Sequence, residues 1–357
     1  MIYNSTKNFY LIAEAGVNHN GSFKLAKNLI EQAAAARADA IKFQIFSADN
    51  LVLKNTKMAK YQIKNLKKNT SQHKMLQSLQ LKETEYIKLK KIAKKNKIDF
   101  LVSVFDEDSL DFFEKKIKSS FLKIPSGEIT NYFLLKKLNL KKYKIILSTG
   151  MSNISEIKNA INLIAKNEVY GIKKNKIYIK NKKNHLIIKK KIFLLHCVTD
   201  YPTKDKYINL NCIQTLNDQF ELTVGFSDHT EGIEASKISL AAGAKIIEKH
   251  FTLDKTMYGP DHSSSLNPKE LKKLVNELKK TSIMLGSNIK KAQLCEYSNM
   301  KSVRKSIVVK NDIKKNQIIK ENMLTAKRPG TGLSPMLIRK VVNKYTKKNL
   351  KKNEMIK

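Results

Sequence analysis

No stretch of this 357-residue sequence approaches the roughly 18 consecutive apolar residues needed to cross a bilayer as a helix. The opening MIYNSTKNFYLIAEAG has no basic region feeding an apolar segment, so no secretory leader and no membrane partner are expected. Cysteine is scarce. Cys197, Cys212 and Cys295 are an odd number without CxxC spacing, which argues against a disulfide framework and predicts a reducing, cytoplasmic setting. Neither a Walker A sequence nor GxGxxG occurs, so nucleotide binding through those loops has no support.

Arginine is the other shortage. The formal charge is +38, yet Arg37, Arg304, Arg328 and Arg339 are the only arginines among 69 basic residues. Bidentate reading of phosphates and base edges favours arginine over lysine. The lysines are spread along helical and loop stretches without interleaved aromatic residues, so no stacking platform emerges. A general bias toward Lys and Asn explains the charge, and no specific nucleic-acid partner is expected. A non-enzymatic module that binds acidic glycans through its lysines is the remote alternative.

An apolar fraction of 41% and a charged fraction of 28% suit a globular protein. The length allows one domain of roughly 250 residues plus a small one. Short β-rich runs fall at residues 10–13, 40–43, 100–103, 121–124, 145–148, 192–196, 222–225 and 245–248. Helical patterns lie between many of them, at 23–36 (with Ser22 as N-cap), 81–96, 109–116, 155–165 and 233–242. Eight strands with such crossovers predict an α/β fold, a closed (β/α)8 TIM barrel. Nearly every run ends in polar or ionisable residues, and a barrel gathers strand ends at one mouth, where its active site sits.

Residues 47–80 read as a long polar connection able to form an active-site flap. Residues 167–191 read as a lysine-rich surface hairpin or loop containing the β-like runs KIYIK and LIIKK. The barrel is expected over 1–285, with its last helix at 268–285. A linker follows over 286–298, then a small β-containing module over 299–357 with strands at 306–309 and 318–319 and a helix at 336–342.

Two of the seven histidines fall beside strand ends, His229 in GFSDHT and His250 in IEKHF. Imidazole suits a divalent transition metal, and an oxygen-rich remainder suits manganese. Two unrelated, satisfied histidines are the plain alternative, since no HxxH or HExxH spacing exists. Asp261 and His262, in GPDHSS, follow the last strand and are placed to complete a shell or hold substrate. Lys42, Lys123, Ser126, Ser148 and Ser227 bring two point charges and three hydroxyls to successive strand ends, suiting an anion that bears phosphate and carboxylate. Each serine alone is equally a cap or turn residue. The run Lys123-Ile-Pro-Ser-Gly-Glu128 is a turn with an acid just beyond its glycine. Glu14, in AEAGVNHNG, is placed to orient a sugar hydroxyl or a water, or else sits in an Asx-type turn with one buried salt bridge.

Ordered motifs spanning residues 9 to about 352 resemble those of the N-acetylneuraminate (sialic acid) synthase family. They are AEAGVNHNG, IKFQIFSAD, FDEDSLDFF, LKIPSGE, ILSTGMSNISEI, LLHCVTDYPT, VGFSDHT, IIEKHFTLDK, GPDHSSS and KRPGTGLSP. The resemblance implies a barrel joined to a C-terminal antifreeze-like (SAF) domain, in a domain-swapped homodimer where each small domain caps the other subunit's barrel. It implies condensation of phosphoenolpyruvate with N-acetylmannosamine and water to give N-acetylneuraminate and phosphate. Legionaminic or pseudaminic acid synthesis from a related amino-sugar aldehyde is the alternative.

By the same resemblance, His229 and His250 hold a divalent metal, Mn2+ first and Mg2+ or Co2+ next. Lys42, Ser103, Lys123, Ser126, Ser148 and Ser227 line the phosphoenolpyruvate site. Glu14, Tyr201 and Asp261 meet the sugar, with Gln44, Glu128 and Thr199 nearby, and Arg328 reaches its N-acyl group from the partner's cap. The implied catalytic set is Glu14, His229, His250 and Asp261. Three features depart from the family pattern: Ser103-Val-Phe-Asp106 where relatives commonly read STPFD, Thr199 where some place asparagine, and a longer 167–191 segment. A barrel aldolase using Lys123 as a Schiff base is a further rival.

Overall fold

The computed structural model describes residues 8–67, 70–174 and 176–357. They form two compact units, the chain up to Gly286 and Ser287–Lys357. In the first unit the strands are β1 (Tyr10–Gly16), β2 (Ala40–Ile45), β3 (Asp99–Val104), β4 (Phe121–Ile124), β5 (Lys144–Ser148), β6 (Tyr170–Lys173), β7 (Lys176–Ile179), β8 (Ile192–Cys197), β9 (Thr223–Asp228) and β10 (Ile246–His250). All but β6 and β7 close into a parallel barrel in the order β1-β10-β9-β8-β5-β4-β3-β2. The expected (β/α)8 TIM barrel is the fold.

Two-residue alternation explains where the core and the site lie. Leu11, Ala13, Ile41, Phe43, Val102, Leu122, Leu147, Leu194 and Val224 point outward into the main core beneath the helices. Tyr10, Ile12, Ala40, Leu101, Phe121, Ile146, Phe193, Leu195 and Ile246 form a separate apolar cluster inside the barrel. Gly225 belongs to that crowded interior, since a Cβ there would lie 2.6 Å from Leu195 Cδ2 and 2.3 Å from the Ile246 carbonyl oxygen.

Two residues further along each strand, the inner face turns polar. Ile12 is followed by Glu14, Ala40 by Lys42, Leu101 by Ser103, Phe121 by Lys123, Ile146 by Ser148, and Ile246 by Glu248 and then His250. The polar strand ends expected from the sequence are thus present, and they lie on the inner face. β1, β9 and β10 run further than their apolar patterns indicate, and alternation itself gathers Glu14, Ser227, Glu248 and His250 on one face.

The outer helices start where side chains can cap them. Ser22 accepts from Leu25 N at the helix Phe23–Ala35; Asn153 with Glu156 and Asn267 with Glu270 form capping boxes at Ile154–Ala165 and Pro268–Leu285. Two expectations need correction. Residues 47–80 are not simply polar. They carry helices Ala48–Leu51, Lys60–Leu66 and Gln72–Leu79, which fold over a small core of Val17, Phe46, Met58, Leu66, Met75 and Leu79. Within 167–191 the hairpin β6–β7 is present, but LIIKK belongs largely to a helix, Lys182–Ile188, capped by Asn181 with His185 and Ile188 buried three residues apart.

In the second unit a helix, Tyr297–Val303, precedes β11 (Ser306–Val309), which pairs antiparallel with β12 (Leu324–Lys327). Ile307, Val309, Ile313, Ile319, Leu324 and Val341 form its core. Residues 318–319 contribute one isolated bridge, Ile318 to Tyr345, in place of a strand. Pro335–Lys340 is a 3-10 helix where an α-helix at 336–342 was expected. Ser334 caps it, and Leu337 departs from helical geometry.

Candidate active site

A cavity of about 330 Å³ opens at the C-terminal mouth of the barrel. Glu14, Lys42, Gln44, Ser103, Lys123, Ser126, Glu128, Ser148, Thr199, Tyr201, Ser227, His229, His250 and Asp261 all line it. Arg328 is the remaining candidate, and it lies exposed in the second unit just after β12.

Four buried charges form the floor. Lys42 Nζ lies 2.5 Å from Glu14 Oε2 and 3.8 Å from Glu248 Oε2. Lys123 Nζ donates to both oxygens of Glu248, at 2.8 and 3.1 Å. Lys42 also donates to Ser103 Oγ at 2.9 Å, and Ser227 Oγ donates to Glu248 Oε1 at 3.0 Å. Glu248 is therefore the hub of the floor, and it is absent from the sequence-derived set. Its signal was available: it sits two residues before His250 and so shares that residue's face.

Burial drives the ionisation of these groups apart. It raises the Glu14 carboxyl despite Lys42 beside it. Burial also pushes Glu248 upward, but Lys123 and Lys42 together outweigh it and hold that carboxyl at about 2. Lys123 is lowered by burial, with Glu248 opposing. One buried carboxyl is thus shifted up and its buried neighbour down within the same site. Such a pair suits acid–base chemistry.

Beside the floor, the rings of His229 and His250 lie 5.5 Å apart between centroids. Tyr201 packs on both, at 4.2 and 5.5 Å. Burial lowers His229 to about 4 and His250 well below the usual imidazole range, so both are neutral near pH 7. His229 Nδ1 lies 2.7 Å from the Val198 carbonyl oxygen and must donate to it. That leaves Nε2 with a free lone pair, 3.4 Å from Ser227 Oγ. His250 Nδ1 is buried without a hydrogen-bond partner. Two neutral imidazoles, one oriented by a carbonyl and one with an orphaned nitrogen, fit the donor set of a divalent metal site. Among the described residues no group of three or more His, Cys, Asp or Glu side chains converges as a metal cage. The protein would thus offer two nitrogens and leave the other positions to oxygen ligands.

The remaining candidates ring this centre. Ser148 Oγ is buried and unpartnered, a hydroxyl free for a ligand. Ser126 Oγ accepts from Gly150 N at 3.1 Å and lies 3.0 Å from Cys197 Sγ. A Cβ on Gly150 would come within 2.5 Å of Thr199 Oγ1 and 2.8 Å of Ser126 Oγ, so only glycine fits that approach. Gln44 donates to Glu14 Oε1 at 3.2 Å, and Asn131 donates to Glu128 Oε2 at 2.6 Å. Asp261 is raised to about 7, first by burial and then by Glu14. Asn65, in the 47–80 connection, donates to the Pro260 carbonyl at 2.6 Å, and Tyr61 stacks on Tyr201 at 5.1 Å. Both contacts bring the flap to the site.

The NeuB family matches residues 29–290, and the SAF domain matches residues 304–357. The chain belongs to the NeuB family. It is 45% identical over 350 residues to an N,N'-diacetyllegionaminic acid synthase of Campylobacter jejuni, covering 98% of this chain and 99% of that protein. The protein of the same name from Legionella pneumophila is 40% identical over 97% of this chain and 92% of its own. Among solved structures, the N-acetylneuraminic acid (sialic acid) synthetase of Leptospira borgpetersenii superposes with a TM-score of 0.67 at 33% identity, over 82% of this chain and 90% of that one. This NeuB-family chain is thus a sialic-acid-type synthase with a C-terminal SAF domain.

Proposed function

We propose that the protein condenses phosphoenolpyruvate with an amino-sugar aldehyde and water, releasing phosphate and a sialic-acid-type sugar acid. The observation that carries this reading is the convergence of Lys42 and Lys123, with Ser103, Ser148 and Ser227, beside two neutral imidazoles in one cavity. Lysines deep in a site suit a small polyanion, and the hydroxyls suit its phosphate and carboxylate oxygens. The two relatives named for N,N'-diacetyllegionaminic acid favour an acceptor bearing two N-acetyl groups. N-acetylmannosamine, giving N-acetylneuraminate, is the second reading, favoured by the Leptospira synthetase and by the LKIPSGE motif.

In this reaction Lys42 and Lys123 hold the donor while its C3 attacks the aldehyde carbon at close range. A divalent metal, manganese first, would be held by His229 and His250 and when bound would supply Lewis-acid stabilisation of charge on the aldehyde oxygen. Glu14, whose carboxyl is raised by burial, is placed to exchange a proton with the water that adds at C2. The C2–O bond to phosphate then breaks and phosphate leaves. Asp261 positions sugar hydroxyls. In a domain-swapped homodimer the exposed Arg328 of each subunit serves the N-acyl group of the sugar held by the other. Lys123 donates to both oxygens of Glu248, and an imine nitrogen, with at most one hydrogen, could not make both bonds.

The test is a phosphate-release assay with phosphoenolpyruvate, manganese and a panel of amino sugars. Release is expected only with an aldehyde acceptor present, and fastest with the di-N-acetylated one. Borohydride with pyruvate is expected to trap nothing. No release with any acceptor, or a trapped imine, would overturn the reading.

A further inference from the structure

The cavity has two unlike sides. Besides the charged floor, the cavity is lined by an apolar wall from the 47–80 connection and the residue after β3: Leu51, Val52, Tyr61, Leu76 and Phe105. Each is only half-buried, so apolar surface remains open to the cavity. Leu51, Leu76 and Phe105 also pack on the flap's own buried cluster, which fixes the wall in place. Through Tyr61, which stacks on Tyr201 and so on His229, the wall borders the imidazole end of the site.

A donor that is nearly all phosphate and carboxylate gains little from such a surface. An acceptor with acyl or deoxy groups gains with every carbon it covers. We infer that the flap wall of Leu51, Tyr61 and Leu76 is a specificity surface that selects an acceptor carrying a second apolar substituent, beyond the N-acyl group assigned to Arg328. This rests on the proposed condensation and adds the residues that choose its sugar. The barrel floor is left to the donor and the wall to the acceptor.

The experiment compares kcat/KM for a di-N-acetylated and a mono-N-acetylated aldehyde sugar in the wild type, Leu76→Gln and Tyr61→Ser. Melting curves confirm that each variant is folded. The wild type is expected to prefer the di-N-acetylated acceptor by about tenfold or more, the scale of one or two apolar groups in a pocket. Each variant is expected to lose most of that preference while the KM for phosphoenolpyruvate stays within about twofold of wild type. Leu76 and Tyr61 lie on different helices, so failure of one variant to fold leaves the other to decide. A wild type without the preference, a folded variant that keeps it, or a KM for phosphoenolpyruvate that rises in step would overturn the inference. Absence of phosphate release from the wild type with either sugar would instead sink the condensation itself.

Discussion

Lys249 and Asp228 face each other on the outside of the barrel, ammonium to carboxylate 3.1 Å apart, with neither side chain exposed at all. They are register partners on β10 and β9. Asp228 also accepts from Thr230 N and Oγ1 and from Ser236 Oγ, while Lys249 donates to the Thr230 carbonyl at 2.6 Å. The loop carrying His229 is thereby tied to the strand carrying His250, from behind. Removing one partner of such a pair strands a buried charge. Lys249→Met is expected to cost about 3–5 kcal/mol in urea unfolding. A loss below about 1 kcal/mol would mean that solvent reaches the pair.

His250→Ala is expected to abolish nearly all turnover and to weaken Mn2+ binding measured by electron paramagnetic resonance. Its melting temperature should change little, because His250 Nδ1 has no partner to strand. A variant as active as wild type in chelated buffer would remove the metal from the mechanism.

Arg328→Ala is expected to raise the KM for the sugar with little change for phosphoenolpyruvate. Mixed with His250→Ala under subunit exchange, it should recover activity, because in the proposed domain-swapped arrangement a hybrid dimer would contain one site with both residues. Equal weakening of both substrates would count against the assignment of Arg328 to the sugar.

The pH dependence of stability follows from buried groups of opposite sign. His19, His229 and His262 are each lowered by burial to about 4. Their contribution is complete above the unfolded value of about 6.5 and is lost as pH falls through 4. Asp261 runs the other way. Raised to about 7, it favours the fold while protonated, and that contribution is lost as pH rises from its unfolded value through 7. In metal-free buffer Asp261→Asn is expected to gain up to roughly 4 kcal/mol over wild type at pH 8, with the gain shrinking toward pH 4. Parallel stability curves for the two proteins would show that Asp261 titrates normally.

The barrel and most of its floor were legible because short apolar runs end in polar residues. A run such as Tyr10-Leu-Ile-Ala-Glu14 announces both a strand and the change from Ile12 to Glu14 on its inner face. Glu248 was missed although it sits two residues before His250 in IIEKH and shares its face; pairing with β1 and β9 turns that face inward. The flap core was hidden for a different reason. Met58, Leu66, Met75 and Leu79 lie in or beside separate short segments, too brief to show a helical period. β12 reads LTAK, with too little alternation to mark a strand without its partner β11.

The apolar cluster of Ile12, Leu101, Ile146, Leu195 and their neighbours stops the barrel directly beneath Lys42 and Lys123. The cavity is therefore a blind shaft entered from above, past the flap. In the proposed condensation the anionic donor would sit at the closed end beside Lys42 and Lys123, with the sugar toward the opening.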